Sequence, residues 1–162
     1  MQQRIINRVE GDNHYQQYLQ SFDPPHDSSA AASIIMAARQ IARNVGAKAI
    51  VSFTVGGTTA LRASKKRPDV PILAISPLAE TSRQLALSWG VYAEISPEGS
   101  YDTDNFRDML RYACEVAQKK GLVSNQNDLL VVTAGFPFGT PGAANIIRVI
   151  PAAGPTYWDA SL

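Results

Sequence analysis

Short, continuous apolar runs alternate along this chain with longer stretches in which apolar residues recur at helical spacing. The apolar runs predict five buried strands, at residues 49–54, 72–76, 91–95, 129–133 and 146–150. Helical spacing predicts a helix ahead of the first strand and one in each gap up to the fourth. Such alternation is typical of a parallel sheet covered by helices on both faces. Continuous apolar strands fit that sheet, because both faces of each strand are buried.

The connection between the fourth and fifth strands departs from this pattern. Residues 134–144 are rich in Gly and Pro and show no helical spacing. A parallel crossover needs about a dozen residues and usually a helix, so we expect the fifth strand to return antiparallel at an edge. The predicted fold is α/β, a three-layer sandwich around a mostly parallel five-stranded sheet with an antiparallel last strand.

Capping residues predict where the helices begin and end. Ser28 or Ser29 can begin the first long helix, and Gly46 can end it. Thr58 or Thr59 can cap the next helix. A third is expected over residues 78–89, and a fourth carries an apolar face made of Phe106, Met109, Leu110, Ala113, Cys114 and Ala117.

Two segments flank the predicted domain, which we expect to span residues 28–151. Residues 1–27 predict short helices broken near Gly11, followed by a linker around Pro24 and Pro25, because paired prolines exclude helix. Residues 152–162 predict an irregular tail.

Composition narrows the functional classes. The 162 residues suit one domain, and 15 basic against 14 acidic side chains leave a net charge of +1. A near-neutral chain has no electrostatic reason to bind nucleic acid or an anionic membrane. One cysteine excludes a disulfide framework. Without a signal-peptide pattern or an apolar run long enough for a bilayer, the expected location is the cytoplasm.

The stretch Thr54-Val55-Gly56-Gly57-Thr58-Thr59 leaves the carboxyl end of a strand and enters a helix. Ligands of open α/β sheets bind at such positions, and a helix start attracts anions. The candidate phosphate-binding residues are Thr54, Gly56, Gly57, Thr58 and Thr59. The loop has no lysine, so it is not a Walker-type nucleotide loop. The same spacing also allows a plain turn whose threonines cap the helix.

A second Gly-rich stretch, Gly135–Gly142, follows another strand and would share the same rim of a parallel sheet. It could form the opposite wall of one pocket, or be a wide hairpin without a ligand. A long loop without regular structure in a small domain is usually functional. The candidate wall residues are Gly135, Phe136, Phe138, Gly139, Thr140 and Gly142.

No residue is a convincing catalytic or metal-binding candidate. Cys114 lies on an apolar helix face, where a packed core thiol is expected. His14 and His26 lie in the lead-in and linker, away from the rim. No spacing of His, Asp or Glu matches a metal site.

The order and spacing of several motifs resemble the C-terminal domain of pyruvate kinase over roughly residues 28–151. The lead-in Arg4–Glu10 is similar to the helix that precedes this domain in the family. The matching segments are Lys48–Val51, Thr54–Ala60, Arg67–Pro68, Pro71–Ala74, Arg83, Trp89–Val91, Gly135–Asn145 and Arg148–Val149.

The resemblance implies a regulatory rather than a catalytic domain. In the family, phosphoryl transfer from phosphoenolpyruvate to ADP takes place in a β/α barrel of about 250 residues, which would also hold Mg²⁺ and K⁺. This chain alone is expected to be inactive and to need no cofactor. The resemblance implies a phosphorylated effector held at Thr54–Thr59, covered by Gly135–Gly142, and assembly into a homo-oligomer.

This sequence departs from the animal and fungal pattern of the family, which has a basic residue in the first loop and Trp and Arg in the second. Here those loops hold Val55, Gly56, Phe136 and Phe138. The departure points away from fructose 1,6-bisphosphate and towards a sugar monophosphate or AMP. Two alternatives stay open at this stage, a flavodoxin-like flavin-binding protein and an assembly module without a ligand.

Overall fold

The computed structural model of the chain describes residues 2–21, 28–97, 106–137 and 144–153. The predicted linker around Pro24 and Pro25 lies outside these ranges, as do residues 154–162 of the predicted tail. The helices are α1 (Gln2–Glu10), α2 (Asn13–Ser21), α3 (Ala30–Val45), α4 (Thr58–Lys65), α5 (Ala79–Leu85) and α6 (Phe106–Lys119). The strands are β1 (Ala49–Phe53), β2 (Ile72–Ser76), β3 (Val91–Ile95), β4 (Leu129–Gly135) and β5 (Ala144–Pro151).

The strands form one sheet in the order β3-β2-β1-β4-β5. The pairs among β1 to β4 are parallel, whereas β5 pairs antiparallel with β4 at an edge. This confirms the predicted α/β sheet and its antiparallel last strand, which is longer at both ends than the expected 146–150. Since β1, β2 and β4 run in parallel, their carboxyl ends meet at one edge of the sheet.

Helices cover both faces of the sheet. On one face, α6 packs its buried residues Met109 and Ala113 against side chains of β1, β2 and β4, such as Val51 and Leu73. On the other face, α3 packs Ala38 and its neighbours over β1 and β4, and α4 and α5 cover β2. Each large apolar side chain buried in this way contributes about 1.5–3 kcal/mol.

The caps of α3 follow the sequence closely. The hydroxyl of Ser29 accepts a hydrogen bond from the Ala32 amide at 3.2 Å. Gly46 adopts a left-handed conformation, with φ of 64°, beyond the last turn. Both features arise from local residue chemistry, so they could be predicted without knowledge of the fold.

Two other helix boundaries differ from the prediction. The N-cap of α4 is Gly57, so Thr58 and Thr59 lie inside the helix and do not cap it. The third helix ends at Leu85 rather than Trp89. The amides of Leu87 and Ser88 bond to carbonyls three residues back, which tightens the chain into turns after the last helical residue.

The lead-in forms α1 and α2 on either side of Gly11, as predicted. The end of α1 is attached to the α/β domain, because the indole N–H of Trp89 donates to a Glu10 carboxylate oxygen at 3.0 Å. Among the described helices, none combines the length and apolarity required to cross a membrane.

Candidate functional site

The candidate phosphate loop begins at Thr54, directly after β1. The Thr54 amide donates to the carbonyl of Ile75 at 3.0 Å, which holds the start of the loop against β2. The Thr54 hydroxyl oxygen accepts the amide N–H of Gly57 at 3.0 Å. Thr54 is buried, so its oxygen shapes the loop from within.

The turn into α4 leaves several backbone donors without an acceptor. Gly57 is the N-cap and has no side chain to bond the first turn. Within the described part of the chain, the amides of Gly56, Thr58, Thr59 and Ala60 have no acceptor. Together with the positive end of the helix dipole, such N–H groups favour an anion.

The two threonines of this turn differ in exposure. Thr58 is exposed, whereas Thr59 retains only 5% of its accessible surface. Neither hydroxyl makes a hydrogen bond to any residue that the structure describes. The wholly buried hydroxyl oxygens without a partner in that part of the chain are those of Ser52 and Ser96. The Thr59 hydroxyl is not one of them, so the small exposed part of this residue includes its oxygen.

Gly56 and Gly57 differ in what their surroundings would allow in place of glycine. Gly57 adopts φ of 81°, and a Cβ there would lie 3.2 Å from the Thr81 methyl and 3.3 Å from a Leu85 methyl. Gly57 therefore allows α5 to pack against the start of α4. Gly56 is exposed and faces open space, with no heavy atom within 4 Å of an added Cβ. Among the described residues, no contact requires glycine at position 56, so a ligand could approach the backbone there.

Ser76, at the carboxyl end of β2, holds the loop by a hydrogen bond to its backbone and was not predicted as a site residue. Its hydroxyl donates to the carbonyl of Val55 at 3.0 Å and accepts the Leu78 amide at 3.1 Å. In the sequence, Ser76 could have been noticed as a hydroxyl residue at the carboxyl end of a predicted strand. Only the pairing of β1 with β2 shows that this hydroxyl reaches the loop.

The second candidate wall begins at the same edge. The parallel pairing of β1 with β4 ends at Ser52 and Thr133. Both strands therefore run to the same edge of the sheet, where Thr54 follows β1 and Gly135 ends β4. Phe136 is exposed, and its peptide bond to Pro137 is cis. The remaining wall candidates, Phe138, Gly139, Thr140 and Gly142, lie outside the described residues.

Asn145 closes the base of this second loop and was also missed. Its side-chain oxygen accepts the Phe136 amide at 2.8 Å, and its amide nitrogen donates to the Phe136 carbonyl at 2.6 Å. The two bonds hold the end of β4 to the start of β5. Asparagine is common in many kinds of loop, so sequence alone did not distinguish this one.

The groups that could perform acid–base or metal chemistry lie elsewhere. Cys114 lies on the buried face of α6, and His14 is exposed on α2. In the described ranges, no three His, Cys, Asp or Glu residues gather in a way that could hold a metal. The pKa of Asp128 is lowered and that of Tyr112 is raised, and neither residue belongs to the loop. Residues 54–59 themselves carry no ionisable side chain.

Comparisons with known proteins point to one family. The family model described as the alpha/beta domain of pyruvate kinase matches residues 32–150. A pyruvate kinase of Agrobacterium vitis is 38% identical over 149 residues, which cover 92% of this chain and 30% of that protein. One of Methylorubrum extorquens AM1 is 33% identical over 146 residues, or 90% of this chain and 30% of that protein. One of Geobacillus stearothermophilus is 42% identical over 108 residues, or 67% and 18%. The chain thus spans no more than 30% of the length of these relatives.

Proposed function

This chain belongs to the pyruvate kinase family as its C-terminal α/β domain, and from that membership we propose that it binds a small phosphorylated effector at the start of α4 and contributes to self-association. The proposal is regulatory, because the family match is to the alpha/beta domain and covers no more than 30% of the length of these relatives. Family membership leaves the flavodoxin-like alternative without support.

One observation carries the ligand proposal. The amides of Gly56, Thr58, Thr59 and Ala60 have no acceptor in the described part of the chain, and they lie next to the open space at Gly56. A phosphate group accepts several hydrogen bonds at once and carries the negative charge that a helix start favours. The Thr58 and Thr59 hydroxyls add further donors.

The charge of the site favours a monophosphate over a bisphosphate. The loop residues 54–59 contain no basic side chain. Arg62, the nearest basic residue in sequence, lies in the last turn of α4 and already interacts with another group. Neutral donors therefore provide most of the binding, and loop residues 54–59 offer no cation to a second phosphate. AMP and sugar monophosphates fit this description better than fructose 1,6-bisphosphate.

The opposite wall of the proposed pocket is the loop after β4, over Gly135–Gly142. Its support is the parallel pairing of β1 with β4, which directs the ends of both strands to one edge of the sheet. The two hydrogen bonds by which Asn145 holds Phe136 add to this support. The exposed ring of Phe136 could contact the base or sugar of the effector.

The ligand proposal is tested by calorimetry with AMP, ribose 5-phosphate, glucose 6-phosphate and fructose 1,6-bisphosphate. We expect a monophosphate to bind best. Thr59→Val removes a hydroxyl at nearly constant volume, and a hydrogen bond to a charged group is worth about 1.5–3 kcal/mol. Affinity should therefore fall about ten- to hundredfold. Absence of binding to the wild type, or a bisphosphate that binds best and ignores the substitution, would contradict the proposal.

Self-association is proposed through the sheet edge formed by β5. This strand pairs with β4 on one side and is the last strand of the sheet. An edge strand offers backbone N–H and C=O groups to a second copy, and Val149 is exposed on it. Light scattering should give a mass above that of one 17.5 kDa chain, and Val149→Pro should reduce it. A monomer mass at high concentration would remove this part of the proposal.

A further inference from the structure

Ser76 is completely buried at the end of β2 and makes two hydrogen bonds to backbone groups of different segments. A serine hydroxyl has one proton to donate and can also accept. It donates that proton to the Val55 carbonyl at 3.0 Å and accepts the N–H of Leu78 at 3.1 Å. Since the Leu78 amide is itself a donor, the serine proton is committed to the Val55 carbonyl.

This bond determines which way the next peptide faces. In a planar trans peptide the C=O and the following N–H point in opposite directions. With the Val55 carbonyl turned towards Ser76, the Gly56 N–H is turned away from β2. Gly56 is exposed, its amide has no acceptor in the described part of the chain, and the space beside it is open.

Two observations besides the helix start point to a ligand here. Thr59 retains only 5% of its accessible surface, yet its hydroxyl makes no hydrogen bond to a described residue. No heavy atom of the described residues lies within 4 Å of a Cβ added at Gly56, and none of their contacts requires a glycine there. A bound phosphate would supply acceptors for the Thr59 hydroxyl and the Gly56 amide.

We propose that Ser76 is the positioning residue of the phosphate site, holding the Val55–Gly56 peptide so that the Gly56 N–H faces the ligand. This inference rests on the proposed effector binding. If the peptide turned over, the Val55 carbonyl would face the phosphate in place of an N–H. A donor would then be replaced by an acceptor that repels the anion, so Ser76 controls affinity without touching the ligand.

The test compares Ser76→Ala with Ser64→Ala. Ser64 is the matched control, because its hydroxyl also donates to a backbone carbonyl, that of Trp89, at 2.7 Å, but at the far end of α4. The probes are AMP and inorganic phosphate. Affinity is measured by calorimetry, and the Gly56 amide resonance is followed in ¹⁵N-labelled protein during each titration. Thermal unfolding of each variant reports the general cost of losing a buried serine.

We expect Ser76→Ala to weaken AMP binding by about tenfold or more and to abolish the shift of the Gly56 resonance with phosphate. Ser64→Ala should reduce stability but leave both readouts unchanged, and Ser76→Thr should restore binding. If Ser76→Ala does not fold, Ser76→Cys replaces it, because a thiol is a much weaker donor.

The outcomes separate this inference from its premise. Unchanged AMP affinity in Ser76→Ala, with normal binding by the wild type, overturns the role of Ser76 and leaves the site intact. A wild type that binds neither probe overturns the site and the role of Ser76 together. Equal loss of affinity in Ser76→Ala and Ser64→Ala overturns the role of Ser76, because the loss would then reflect lower stability in general.

Discussion

At the scale of single residues, Gly57 is the position in the proposed loop where the fold itself requires glycine. Its φ of 81° is unfavourable for any other residue, and a Cβ would lie within 3.3 Å of Thr81 and Leu85 side chains. We expect Gly57→Ala to lower the free energy of unfolding by about 1–3 kcal/mol.

Gly56→Ala is the matched control, since open space surrounds that position. It should change the free energy of unfolding by less than about 0.5 kcal/mol while weakening AMP binding, because its methyl group would occupy the ligand's space. Urea denaturation and calorimetry on both variants check this. Equal stability losses would show that the two glycines are not distinct in their roles.

Asp128 is a residue whose ionisation supports the fold. Its carboxylate accepts the amides of Ser124 at 2.6 Å and Asn125 at 3.0 Å, at the turn before β4. These bonds lower its pKa below the ordinary value of 3.8, and the charge of Lys48 adds to the effect. As the pH falls, the Asp128 carboxylate is therefore protonated at a higher pH in the unfolded chain than in the folded chain.

The sign of the pH dependence follows from that difference. The stabilisation by Asp128 is present above the unfolded pKa and is lost as pH falls below about 4 through the lower, folded pKa. We expect Asp128→Asn to be less stable than wild type at pH 7 and to lose less stability between pH 5 and pH 3. Urea denaturation across this range tests it. Asp108→Asn, at an exposed pair with Arg111, should keep the wild-type profile, and identical profiles for all three proteins would contradict the prediction.

At the scale of elements, Trp89 joins α1, α4 and the turn before β3. Its indole N–H donates to Glu10 on α1, and its carbonyl accepts the Ser64 hydroxyl on α4. The Arg67 guanidinium lies 4.5 Å from the ring centroid, a cation–π distance. The lead-in helix is thereby attached to the α/β domain although Ile5, Ile6 and Val9 on it remain exposed.

Removal of this attachment should release α1 without unfolding the domain. We expect Glu10→Ala to speed hydrogen exchange of the α1 amides by about tenfold, the value of a hydrogen bond to a charged group. Trp89 emission, read in a Trp158→Phe background, should move to longer wavelength. Glu80→Ala, which removes an exposed glutamate bonded to Gln84 on α5, should do neither. Unchanged α1 exchange in Glu10→Ala would show that other contacts hold the helix.

At the scale of the whole molecule, the carboxyl edge of the sheet gathers the loop after β1, the buried end of β2 and the end of β4. The 162 residues tested alone should show no pyruvate kinase activity, because they are fewer than the roughly 250 that a catalytic barrel requires. A coupled assay with phosphoenolpyruvate, excess ADP, Mg²⁺ and K⁺ tests this. Turnover that scales with the chain and survives a second purification would contradict it.

The sequence was sufficient for features that depend on neighbours along the chain. Continuous apolar runs identify strands because buried strands exclude polar side chains on both faces. Ser29 and Gly46 mark the ends of α3 because capping is a local interaction. The lack of helical spacing in the sequence of residues 134–144 was enough to predict that β5 is antiparallel, since a stretch of this length needs a helix to make a parallel crossover. The threonines and glycines of the proposed phosphate loop were likewise visible as a local pattern.

Only the tertiary structure decided which distant residues meet. Ser76 reaches Val55 across 21 positions, and Trp89 reaches Glu10 across 79. Neither contact follows from periodicity, because the hydrophobic pattern specifies that a strand is buried but not which strand lies beside it. The N-cap of α4 is Gly57 rather than a threonine. The close approach of Thr81 and Leu85 to Gly57 is likewise a contact between residues far apart in the sequence. Local patterns report burial and capping, whereas partners are decided by strand order and packing, which no short stretch of sequence encodes.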